Sequence, residues 1–138
     1  MVVAHLVLFI NFLIMGGELQ VNIENVQSNK GQILIAIYDS PATYMQTAKA
    51  VELKAVPIRS TQPLAILFSG LKAGEYAISV VHDVNKNGIL DTNIFGVPTE
   101  PYGFSNNIRP KFRSASWKES KFYFKDIKDQ ISIKLDTW

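Results

Sequence analysis

The chain has 138 residues, room for one domain and little more, and its 47% hydrophobic and 19% charged residues give a globular balance, not a disordered one. Fourteen Lys and Arg against twelve Asp and Glu leave +2, too mild a charge to mark a nucleic-acid binder. The absence of Cys excludes disulfides, a thiolate nucleophile and Cys-ligated metals. Of the two His residues, His5 lies in an apolar leader, so a processed chain keeps only His82.

Val2 to Met15 is an apolar run interrupted only by His5 and Asn11. A membrane-crossing helix needs about twenty such residues, so the run is short for an anchor and suits the apolar part of a signal peptide. Gly16 and Gly17 offer small residues for cleavage, although no Lys or Arg precedes the run. The expectation is a signal peptide over 1–17 and one domain over 18–138. The product would be secreted, periplasmic or in the cell envelope, with no membrane span after cleavage.

From Leu19 onward the dominant period is two. Leu19, Val21 and Ile23 alternate with polar neighbours, which predicts a half-buried strand. Turn formers fill Asn25 to Gly31, and Gln32 to Tyr38 then reads as a strand apolar on both faces, hence central. Pro41 to Ala50 has helix-compatible spacing for a short surface helix at most. Glu52 to Ser60 is a weaker strand that Pro57 pushes to a sheet edge. Leu64, Ile66 and Phe68 alternate, a turn follows over Ser69 to Gly74, and Glu75 to His82 is another strand. Asp83 to about Ser116 is rich in Gly, Pro and Asn and has no clear period. Lys121 to Phe124, with Phe122 and Phe124 on one core face, and Ile131 to Leu135 close the chain as strands. About seven short strands separated by turns predict an all-β, antiparallel sandwich.

The strongest local signal is Asp83-Val-Asn85-Lys-Asn87-Gly88-Ile89-Leu-Asp91. Calcium takes six to eight oxygen ligands, and acidic or amide side chains at alternate positions can all turn inward around it. Asp83, Asn85 and Asn87 hold the first, third and fifth places, and Gly88 the sharp turn. Ile89 would give a main-chain carbonyl, Leu90 would point back to the core, and Asp91 would close the site. A helix–loop–helix calcium sensor is excluded, because a strand precedes the loop and Ile94 stands where a bidentate Glu would be needed. Glu100 or Asn93 would complete the shell. With only two formal negative charges the affinity should be modest, on the order of 10⁻⁴–10⁻³ M. The competing reading is a plain connection in which Asn and Asp make local turns and Asn87-Gly88 supplies positive φ.

Three linked stretches carry a resemblance: Phe68 to Tyr76, Val81 to Asn93, and Phe95 to Asn107. Together they resemble the bacterial secreted-protein family called domain of unknown function 2141, over roughly Gly31 to Leu135. Their order is also similar to prealbumin-like and Cna-B-type sandwich modules, so the resemblance implies a prealbumin- or immunoglobulin-like sandwich. It implies no established activity, and it carries the calcium role onto Asp83, Asn85, Asn87 and Asp91.

No catalytic residues are expected. His82 beside Asp83 has no nucleophile-elbow serine to serve. The expected role is a non-catalytic structural or interaction module for an unknown protein or envelope partner, with no nucleic acid and an undetermined oligomeric state. The alternative is a small-ligand or carbohydrate binder using the Tyr102–Asn107 loop, where exposed aromatics and amides would meet a ligand. Against it, Tyr102 and Phe104 would fold back to cap the sandwich while Gly103 makes an unusual turn.

Overall fold

The computed structural model describes residues 16–125 and 127–138. The apolar run assigned to the signal peptide, residues 1–15, lies outside the described residues. Among these, eight strands form: β1 (Gly17–Glu24), β2 (Gln32–Tyr38), β3 (Glu52–Pro57), β4 (Leu64–Leu71), β5 (Gly74–Asp83), β6 (Tyr102–Phe104), β7 (Phe122–Phe124) and β8 (Asp129–Lys134). One sheet has the order β4-β1-β8; the other has β3-β2-β5-β6, with β7 also on β5. The two pack as an all-β sandwich. One pairing departs from the antiparallel expectation: β1 and β8 run parallel, from Leu19 opposite Asp129 to Glu24 opposite Lys134.

Period-two alternation explains what faces inward. Leu19, Val21 and Ile23 of β1, Ile33, Ile35 and Ile37 of β2, and Ile78 and Val80 of β5 form one buried cluster with Phe68, Phe124 and Ile133. Tyr123 points out between two inward phenylalanines, as alternation demands. Pro57 sits in edge strand β3, where its missing N–H leaves no ladder bond unmade. Lys54 of the same strand lies with its ammonium 4.5 Å from the centre of the Phe68 ring and donates to the Leu67 carbonyl. That contact links the β3 edge to the facing sheet.

Three local expectations change. Pro41 to Ala50 has no buried apolar face; it forms turns and one 3-10 turn at Thr47–Lys49. The short helix is instead α1 (Trp117–Ser120), set by a capping box in which Ser116 Oγ accepts from Glu119 N and the Glu119 carboxylate accepts from Ser116 N. Gly103 makes no turn: it lies within β6, between buried Tyr102 and Phe104. Its lack of a side chain admits β8, since a Cβ there would sit 2.8 Å from both Ile133 Cγ2 and the Lys134 carbonyl.

That contact gives a direct test. Gly103→Ala is expected to lower stability by about 1–3 kcal/mol through overpacking. Gly74→Ala, whose new Cβ meets nothing nearer than 3.9 Å at ordinary φ, should stay within about 0.5 kcal/mol of the parent. Urea-denaturation midpoints at constant slope measure both; equal midpoints would refute the close-approach account.

Candidate metal loop

Asp83 ends the central strand β5 and is fully buried. Its carboxylate takes up donors that would otherwise be left at the strand end. Asn87 N donates to Oδ1 at 3.1 Å, Gly88 N to Oδ2 at 2.9 Å, and Gln32 Nε2 to Oδ2 at 2.9 Å. Burial raises the Asp83 carboxyl; the hydrogen bonds from Gln32 and the backbone of Gly88, Asn87 and Lys86 outweigh it and hold the group below its ordinary value.

The other oxygen-bearing residues converge on Asp91. Asn85 Nδ2 donates to its Oδ2 at 2.6 Å and Asn87 Nδ2 to its Oδ1 at 2.7 Å. Asn85 Oδ1 accepts from Asn87 N, and Asn87 Oδ1 accepts from Ile89 N, both at 3.2 Å, so each Asn also makes a local turn. Gly88 has φ of +84°, the left-handed conformation expected of the sharp turn. Leu90 is half-buried against Tyr102, Phe104 and Ala115, and the Ile89 side chain is exposed. The loop thus brings Asp83, Asn85, Asn87 and Asp91 into one hydrogen-bonded cluster.

The donor set suits a hard cation: two carboxylates, two amides and a carbonyl, with no sulfur and no imidazole. Among the described residues no group of three or more His, Cys, Asp or Glu is clustered for a metal, so any ion held here would rest on amide and carbonyl oxygens as well.

Glu100 and Asn93 separate cleanly. Buried Glu100 accepts from Val84 N at 2.8 Å and from Asp91 N at 3.1 Å, tying together the two ends of the loop. Asn93 instead caps the next turn, accepting from Phe95 N and Val97 N. Two neighbours were not anticipated from the sequence. Gln32 reaches Asp83 from the adjacent strand β2, a contact visible only once the register Gln32 opposite Asp83 is known. Gly31, at φ of +79°, lies so close to the loop that a Cβ would come 2.6 Å from Val84 Cα.

His82 is buried, and its Nε2 lies 2.8 Å from the Lys30 carbonyl. That oxygen can only accept, so Nε2 donates to it, while Nδ1 has no hydrogen-bond partner among the described residues. Among the described residues no hydroxyl hydrogen-bonds to the ring. The Tyr102–Asn107 stretch also differs from the exposed recognition loop that the alternative function required. Tyr102 and Phe104 are 6% and 5% exposed. Ile78 N donates to Ser105 Oγ, Asn106 Nδ2 donates to the Glu119 and Lys121 carbonyls, and Asn107 bridges the Ser132 carbonyl and Lys134 N. Its aromatics are nearly covered and its amides are engaged with the backbone of neighbouring segments.

Fold and loop define a β-sandwich domain with a carboxylate–amide loop at the end of its central strand. A family model described as an uncharacterized protein conserved in bacteria, domain of unknown function 2141, matches residues 21–132, and the chain belongs to that family. No curated protein and no solved structure matches it.

The lowered Asp83 value fixes the sign of a pH effect. The unfolded carboxyl, near pH 3.9, binds its proton more readily than the folded one. Its stabilisation is therefore complete above that value and is lost as pH falls from about 4 through the folded value. Chemical denaturation between pH 6 and 3 should show Asp83→Asn losing less stability than the parent. Asp83→Ala should cost about 1–3 kcal/mol at neutral pH through unsatisfied donors. Parallel profiles for the parent and Asp83→Asn would show that this carboxylate does not carry the acid dependence.

Proposed function

We propose that the chain is an exported, non-catalytic structural or interaction module whose Asp83–Asp91 loop takes up calcium as a structural ion. One observation carries the metal reading: Asn85, Asn87 and Asp91 meet side chain to side chain while Asp83 holds the backbone of the same turn. Calcium would bind through the oxygens of Asp83, Asn85, Asn87 and Asp91 and the Ile89 carbonyl. Turning over the two amides, whose NH₂ groups now serve Asp91, would add their oxygens to the site. Glu100 works from behind, keeping Val84 and Asp91 at a fixed separation. An ion here would cross-link a long loop in a protein without disulfides, a stabilising and not a chemical role.

The non-catalytic reading rests on His82, whose ring is enclosed and engaged with a backbone carbonyl. The export reading rests on the apolar run Val2 to Met15. An envelope or extracellular location would also supply the millimolar calcium that a weak site needs.

The test is thermal unfolding of the purified protein in excess EDTA, in millimolar calcium and in millimolar magnesium. Calcium at about 1 mM is expected to add about 0.4–1.4 kcal/mol, a few degrees in melting temperature, and magnesium much less. Asp91→Ala, at a half-buried position, should abolish the difference. Equal melting temperatures in all three conditions would leave the loop a hydrogen-bonded connection. Sequencing the N-terminus of exported protein checks the leader, with cleavage expected next to Gly17.

A further inference from the structure

The second face of the five-stranded sheet is also largely apolar between Leu34 and Tyr38. Leu34, Ala36 and Tyr38 of β2 lie across from Val81, Ser79 and Ala77 of β5, with side chains turned away from the sandwich core. Tyr102 and Phe104 extend this surface on β6. Two walls rise from it: one is the back of the metal loop and the segment after it, through Leu90 and Val97; the other is the turn at Phe112–Ser114. Together they enclose a groove of about 660 Å³, within the range of small-molecule sites.

We propose that this groove binds a neutral, largely apolar small molecule bearing one hydrogen-bonding group, which docks on the Ser79 hydroxyl. Three observations carry this. The floor is mostly aliphatic and aromatic, and its polar side-chain atoms are the hydroxyls of Ser79, Tyr102 and Tyr38, the last buried beneath Ser79 and without a well-formed hydrogen bond. The half-exposed Ser79 hydroxyl gives an apolar guest a polar anchor.

The mouth is lined by large apolar side chains facing solvent. Phe95 and Phe112 are 83% and 82% exposed, and Ile89 and Trp138 also face water. Phe112 and Trp138 meet edge to face at 5.3 Å between ring centres. A concentration of exposed aromatics around one concavity marks a binding surface better than scattered ones do.

The third observation concerns charge. The one ionic side chain lining the groove among the described residues is Arg113. Both its terminal nitrogens lie 2.8 Å from Glu119 oxygens, and that pairing holds the Glu119 carboxyl down at about 2. The groove therefore offers no uncompensated charge to a ligand, and a charged guest would lose its hydration without a partner. Its concavity between two walls also suits a small molecule better than the convex flank of a second copy.

A matched pair of fluorescent probes tests this: neutral N-phenyl-1-naphthylamine and its anionic relative 8-anilinonaphthalene-1-sulfonate. Titrations in EDTA make the outcome independent of the calcium reading. The neutral probe should bind one per chain with enhanced emission, at least about tenfold more tightly than the anionic one (~1.4 kcal/mol). Ser79→Phe, which fills the floor, should weaken binding by about tenfold or more. Phe95→Ser with Phe112→Ser, at exposed positions that cannot disturb the core, should weaken it severalfold and serves if Ser79→Phe fails to fold. Leu67→Ser, on the opposite sheet, should change nothing. No enhancement, equal affinity for both probes, or affinity untouched by the groove variants would overturn the proposal. So would a dimer, seen by sedimentation, that the groove variants dissociate.

Discussion

Everything between Val84 and Pro101 depends on two buried carboxylates. The segment leaves the central strand and returns to the same sheet with little regular backbone pairing of its own. Asp83 collects Asn87 and Gly88 at the outgoing end, and Glu100 collects Val84 and Asp91 at the returning end. Four backbone N–H groups of the loop, at exposed or half-buried positions, are satisfied by these acceptors at fixed places. Hydrogen bonds to ionised acceptors are stronger than neutral ones, so the loop is held by few contacts of good quality. Between these anchors the chain closes a small hairpin, with Asn93 and Val97 paired and Thr99 donating to the Asp91 carbonyl.

With a cation in the loop and a guest in the groove, this anchoring would couple the two. The face of the loop bearing Asn85, Asn87 and Asp91 gathers oxygens, and its other face turns Leu90 onto Tyr102 and Phe104. Alternation at the strand end is the cause: once Asp83 is fixed by Gln32 and the turn by Gly88, polar and apolar residues fall on opposite sides. A cation on one face would stiffen a wall of the groove on the other. The coupling needs no conformational change, only the loss of loop motion.

The fold was legible where burial is one-sided. The strands around Leu19, Ile66 and Ile133 announce themselves because one face meets the core and the other meets water. The central position of Gln32 to Tyr38 was legible too, from its unbroken apolar run. What the run could not reveal is what covers its second face, because periodicity reports burial and not the identity of the neighbour. β6 stayed hidden for a related reason: three residues that include a glycine have no period. The parallel pairing of β1 with β8 lies beyond local signals altogether, since it joins the two ends of the chain. Ser116-Trp-Lys-Glu119 was a readable capping box, yet four residues of helix left no apolar stripe to draw attention to it.

The loop shows the same division. Its oxygen-bearing residues could be named from spacing because each sits a fixed number of bonds from Gly88. The residues that make the loop hold together could not, since they arrive from elsewhere: Gln32 through strand register, Gly31 through close approach, Glu100 after sixteen further positions. Glu100 and Asn93 are the two residues between which the sequence cannot choose to complete the shell; both oxygens of Glu100 accept backbone N–H bonds from behind the loop. This arrangement bears on affinity. A carboxylate turned into the site would add charge and tighten calcium binding; one spent on the backbone adds rigidity instead, lowering the entropy lost on binding without raising the attraction. Holding calcium as proposed, such a loop would stay occupied where calcium is abundant and would empty where it is scarce.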